Sequence, residues 1–142
     1  MDENALLDHC LAKPGAYLDF PFGPGVAVVK VKAPTQATGR LFAQVFTLRG
    51  VLTATLSCDP VTAEEYRALY PGVVVRGYHC PPVQQPYFNS LPLEREVPDD
   101  EILELADLAY EVVVAKLPKY RQRELAKVGT RNRWPRDHFH GP

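Results

Sequence analysis

Residues 25–60 read GVAVVKVKAPTQATGRLFAQVFTLRGVLTATLSCDP, and the fold turns on this stretch. In Gly25–Lys32 the side chains alternate: Ala27, Val29 and Val31 share one face, Lys30 and Lys32 the other. That period of two predicts a half-covered β-strand. Arg40–Leu48 is apolar almost throughout, as a strand in the middle of a sheet would be. Val51–Cys58 alternates again, with Leu52, Ala54 and Leu56 opposed to Thr53 and Thr55. Arg49-Gly50 between the last two strands predicts a tight hairpin, because glycine accepts the positive φ such turns require. Asp59-Pro60 then opens a helix. The carboxylate caps free N–H groups, and proline fits the first helical position, where an N–H has no partner to lose.

Upstream, Leu6, Leu7, Cys10 and Leu11 fall on one helical stripe, which predicts a helix from Glu3 to Lys13 stopped by Pro14-Gly15. Ala16–Phe20 is a short extended lead-in. Downstream, Ala63, Tyr66, Leu69 and Tyr70 mark the inner face of the helix begun at Asp59. Two further strands are predicted over Val73–Tyr78 and Tyr87–Leu93. Between them lies Pro81-Pro82-Val83-Gln84-Gln85-Pro86, stiff because proline fixes φ and donates no hydrogen bond. A long helix opens at Pro98-Asp99-Asp100-Glu101, and Ile102, Leu105, Ala106, Ala109, Val112, Val113 and Leu117 run down one side of it. Lys119–Val128 forms a short charged helix, and Gly129–Pro142 is a tail without periodicity.

The order α-β(3)-α-β(2)-α, with adjacent strands joined by short turns, predicts an α+β domain of two layers: an antiparallel sheet with helices packed on it. Its expected core holds Ala27, Val29, Val31, Leu52, Leu56, Leu69, Ile102, Leu105, Ala109 and Val112. The 142 residues suffice for one domain with its own core. That domain is expected over residues 1–118, with 119–142 as a basic helix and tail.

A hydrophobic content of 46% with 23% charged residues excludes a disordered chain. No apolar run reaches the roughly 18 residues of a membrane helix. The N-terminus is acidic, unlike a secretory signal. Cys10, Cys58 and Cys80 are an odd, scattered set without a C-x-x-C pair, neither a disulfide nor a zinc framework. A cytoplasmic protein with reduced thiols, no membrane partner, no metal and no cofactor is expected. Charge is the most informative global feature. Residues 1–118 carry nine Lys and Arg against fifteen Asp and Glu, whereas 119–142 carry seven against two.

Several segments in sequence order resemble the MmcQ/YjbR family. They are Cys10-Leu11-Ala12-Lys13-Pro14-Gly15-Ala16 with Phe20-Pro21-Phe22-Gly23-Pro24; Val26–Lys32; Leu41-Phe42-Ala43; Leu56-Ser57-Cys58-Asp59-Pro60; Tyr70-Pro71-Gly72-Val73 with Gly77-Tyr78-His79; Val97–Ile102; and Tyr110-Glu111 through Lys116-Leu117-Pro118-Lys119. The resemblance spans residues 6 to 120 and implies the same α-β(3)-α-β(2)-α arrangement, similar to that of secretion chaperones. It also implies DNA binding. After Gly77-Tyr78-His79 the family carries a basic loop ending in His-Trp-Asn. Here the loop has no cation, Phe88 stands for the Trp, and Asn89 remains.

Nucleic-acid contact is accordingly expected at Tyr78, Phe88 and Asn89, at Lys30 and Lys32, and along the tail cations Lys119, Arg121, Arg123, Lys127, Arg131, Arg133 and Arg136. The tail interleaves these cations with Tyr120, Trp134 and Phe139, and cations attract phosphate while rings stack on bases. A protein-interaction or chaperone-like adaptor is the alternative. No enzymatic constellation emerges. Phe22-Gly23-Pro24-Gly25 leads into a strand, so it lacks the helix N-terminus of a phosphate loop. His79-Cys80 and His9-Cys10 put a thiol beside an imidazole in sequence, which does not by itself supply the hydrogen bond a cysteine nucleophile needs. His138 and His140 lack further ligands. Glu94, Glu96, Asp99, Asp100 and Glu101 flank a turn and a helix start.

Overall fold

The computed structural model describes residues 1–128. Four strands follow the first helix. α1 spans Glu3–Leu11, β1 Ala16–Asp19, β2 Ala27–Val31, β3 Arg40–Leu48 and β4 Val51–Ser57; α2 spans Pro60–Leu69. The chain continues through β5 (Val75–Arg76), a 3-10 turn (Gln85–Tyr87), β6 (Phe88–Pro92) and α3 (Asp99–Ala115). A last helix, α4, covers 119–128. The strands form one antiparallel sheet in the order β1-β2-β3-β4-β6-β5. The α+β class and the antiparallel sheet follow the sequence pattern. The lead-in at Ala16 is a full edge strand paired along Val28–Val31, so four strands rather than three precede α2.

The local chemistry is as the sequence implies. Asp2 caps α1 by accepting from Ala5 N at 2.7 Å, and Asp59 caps α2 by accepting from Thr62 N at 2.9 Å. In the β3–β4 hairpin both turn residues take positive φ, 52° at Arg49 and 78° at Gly50. Such a turn matches the natural twist of the two strands.

The register divides the sheet into two unlike faces. Ala27, Val45, Ala54 and Leu91 stand in one cross-strand row, and Val29, Ala43, Leu56 and Asn89 in the next. This face packs against Leu6, Leu7 and Cys10 of α1 and Ile102, Leu105, Ala106 and Ala109 of α3 to make the core. The opposite face carries Val28, Gln44, Thr55 and Ser90 in one row. These are also buried, although three of the four are polar. Thr55 and Ser90 share a hydrogen bond of 2.7 Å. A register shift between Val29 and Lys30 lets Phe42 join the core, edge-on to Tyr110 at 5.5 Å.

Three expected core residues are less buried than the pattern implies. The α2 helix turns Ala63, Tyr66 and Tyr70 inward, which leaves Leu69 in solvent at 63% exposure. Leu52, next to the Arg49-Gly50 turn, packs against the core but is only half-buried. Val112 is half-buried and lines a cavity. Residues 119–128, expected beyond the domain, are docked on it. Leu125 is buried in the same core, and Glu124 accepts hydrogen bonds from Thr35 N and Oγ1 at 3.1 and 2.8 Å. Among the described residues no helix is long and apolar enough to cross a membrane.

Candidate functional site

The stiff proline segment is anchored at both ends. Gly77 N donates to Phe88 O at 3.0 Å, and Cys58 N donates to Tyr87 O at 2.8 Å. Gln85 Nε2 donates to Cys80 O at 3.0 Å, which ties the loop to itself. Gly77 permits the close approach. A Cβ there would stand 3.1 Å from Phe88 Cβ and 3.2 Å from Cys80 Sγ, with Thr55 Cγ2 at 3.5 Å. The loop therefore lies over the polar face of the sheet, and His79 packs edge-on to Phe46 of β3 at 5.1 Å.

Loop and sheet do not close completely. Between them is a cavity of about 730 Å³, within the roughly 300–1,000 Å³ range of organic-ligand sites. β3 contributes Leu41, Gln44 and Phe46, the loop His79, Pro81 and Gln84, and the segment before β2 adds Phe22. The end of α3 supplies Val112 and Lys116, and the start of β3 adds Arg40. The lining contains two cations and no carboxylate. Neither cation is neutralised: among the described residues, no salt bridge involves Arg40 or Lys116. Lys116 Nζ rests over the Tyr87 ring, 5.2 Å from its centroid. That contact positions the ammonium without cancelling its charge.

The titrations here point away from nucleophilic chemistry. Burial pushes the Cys80 thiol up and the His79 imidazole down, so both are neutral near pH 7. Their atoms stand 3.8 Å apart. Cys10 is pushed up to about 12, mainly by burial, as its place in the core requires. No group of three His, Cys, Asp or Glu suited to a metal ion comes together among the described residues.

The residues expected at the site are dispersed. Phe88 lines the cavity. Tyr78 is 68% exposed on the loop. Asn89 is turned inward, which corrects its assignment as a contact residue. Its Nδ2 donates to Ala63 O at 3.0 Å and its Oδ1 accepts from Arg67 at 2.7 Å, so the amide joins α2 to the sheet. Lys30 is likewise occupied, with Nζ 2.9 Å from Asp19 on β1. Lys32 is half-buried beside α4, and Arg121 donates to Tyr120 Oη at 2.9 Å. Lys119, Arg123 and Lys127 are exposed on α4. Arg131, Arg133 and Arg136, like Trp134, His138 and His140, lie outside the described residues. Sequence reasoning missed Arg40 and Lys116. Their signal was a cation opening an otherwise apolar strand and a lysine ending an apolar helix face.

A six-stranded antiparallel sheet, helices on one face and an anchored loop on the other, defines a class of small α+β domains. Within that class the chain belongs to the YjbR family, whose model matches residues 11–112. A crystal structure of a Deinococcus radiodurans protein with a DUF419 domain is similar, with a TM-score of 0.77 and 27% identity, covering 87% of this chain and 86% of that one. A Pseudomonas syringae structural-genomics target shares the fold at 15% identity and a TM-score of 0.64, over 80% of this chain and 99% of that one. No curated protein matches the sequence.

Proposed function

We propose that this YjbR-family chain is a non-catalytic module that binds nucleic acid weakly and mainly through charge. One observation carries the reading. Lys116, at the end of α3, lines with Arg40 a cavity that no carboxylate lines, and three residues further on α4 begins, where Lys119, Arg123 and Lys127 are exposed. These cations are concentrated in a protein whose first 118 residues carry an excess of acid. Glu124 is the one acid on α4, and its carboxylate is turned to Thr35. A mainly cationic patch on such a body attracts a polyanion only where the patch itself meets it. Absence of catalysis is supported by Cys80 and His79, whose shifts run opposite to those of an activated thiolate and its imidazolium. A reducing cytoplasm suits the three free cysteines.

The test is fluorescence anisotropy with labelled DNA between about 50 and about 200 mM salt. Three or four phosphate contacts give a log–log slope of about −3, hence a loss of roughly 60-fold across that range. Reversing Lys119, Arg123 and Lys127 to Glu should weaken binding to all sequences alike. No binding at the lower salt would transfer the proposal to a protein-interaction adaptor. The exposed Phe22, Tyr78 and Val83 around the loop favour that second reading.

A further inference from the structure

We propose that the cavity between the anchored loop and β3 is a nucleotide site: an unpaired base enters among its aromatic rings while the attached phosphate meets Arg40 and Lys116. The inference rests on the nucleic-acid reading above and names the part of the ligand the groove takes.

Three observations converge. The first is size. About 730 Å³ is far more than an inorganic phosphate or a single side chain needs, and suits an organic molecule. The second is the character of the walls. Phe22, Tyr87 and Phe88 line the space; Phe22 is 66% and Tyr87 43% exposed, and Lys116 Nζ already rests over the Tyr87 ring. Exposed aromatic faces around a concave site are stacking platforms, and every base has a face to stack. Gln44 adds an amide that both donates and accepts, as the edge of a base requires. The third is charge. The two cations of the lining have no ion-pair partner among the described residues, and no carboxylate lines the cavity. A cationic ligand would find only repulsion there, and a neutral apolar one would gain nothing from the two solvent-exposed charges. An anion carrying a flat aromatic body satisfies both ends.

This chemistry discriminates between forms of nucleic acid. In a duplex the base faces are stacked on one another and unavailable. In a single strand they are free. The groove therefore favours single strands, whereas the α4 cations alone bind either form.

The experiment uses the full chain and three probes: a labelled oligo-dT, a labelled hairpin duplex and free thymidine monophosphate as competitor. Oligo-dT is expected to bind at least about tenfold more tightly than the duplex, the scale of one stacked base. Phe22→Ala, at an exposed position that does not threaten folding, should abolish that preference and leave duplex binding unchanged. Lys116→Gln should weaken oligo-dT and the monophosphate together. Displacement of oligo-dT by the monophosphate supports the site. If the monophosphate binds as tightly as the strand, the natural ligand is the free nucleotide. Equal affinity for strand and duplex, with Phe22→Ala silent, overturns the nucleotide site while salt-dependent binding still stands. Binding of neither DNA at low salt overturns both proposals. An acidic, aromatic-rich peptide that binds where DNA does not overturns them in favour of a protein partner.

Discussion

The two faces of the sheet solve the same problem with different chemistry. On one, Ala27, Val45, Ala54 and Leu91 are buried in one hydrocarbon cluster with residues of α1 and α3. On the other, Gln44, Thr55 and Ser90 are buried just as well, but under a loop rather than a helix, and a cavity persists. Apolar contact is non-directional, so a helix can settle on it until no void remains. A polar row under a proline-stiffened loop must instead satisfy hydrogen bonds in fixed directions, and the loop cannot slide to fill the gap. The hydrocarbon face stabilises the fold, and the polar one borders the cavity where a ligand can be accommodated.

The largest expected effect tests the hydrocarbon face. Leu105→Ala should cost about 2–5 kcal/mol in denaturant unfolding, the range for a buried leucine. Gln44→Leu, at the cavity, should change stability by less than about 1 kcal/mol, since its amide is not locked in the packed core. Comparable losses for the two would erase the distinction between the faces. Next in size is the buried hydroxyl pair. Thr55→Val alone leaves Ser90 Oγ without its partner and should cost about 1–3 kcal/mol. Adding Ser90→Ala should recover much of that loss, and a double mutant cycle that shows strict additivity would remove the pair from the account.

The smallest effect concerns acid. Hydrogen bonding from Thr62 N holds the Asp59 carboxyl below its ordinary value. At Asp107 burial acts upward, but hydrogen bonds from Lys13 and His9 outweigh it, and the carboxyl again ends low. For a group depressed by folding, the stabilisation is present above the unfolded pKa near 4 and lost as pH falls through the lower folded value. Asp59→Ala should remove about 1 kcal/mol near pH 7. The penalty should shrink on acidification below about pH 4. A penalty constant down to pH 2 would show that the cap does not act through its charge.

Much of the fold was legible because periodicity and punctuation agreed. Val29 and Val31 alternate with lysines, Asp59-Pro60 opens a helix, and Arg49-Gly50 closes a hairpin. The β1 edge strand was only a lead-in by sequence because Ala16–Asp19 is too short to show a period. Leu69 misled because a leucine on an apparent stripe says nothing of which way α2 is rolled. That roll is set by Asn89, which bonds Ala63 O and Arg67 from a strand twenty residues away or more. The site was less legible still. Arg40 and Lys116 are 76 positions apart and become neighbours of one cavity only through the packing of α3 on the sheet. Reading charge along the chain finds runs, and this pair is not a run.

Leu125 carries a lesson about boundaries. The family match ends at residue 112, yet the side chain that seats α4 in the core lies thirteen residues further on. A fragment cut where the recognisable sequence stops would expose the apolar surface that Leu125 covers. It would lose solubility and the cations of α4 in one stroke. Its failure to bind DNA would then say nothing about charge. Every comparison between relatives of different length should ask what each puts in that slot.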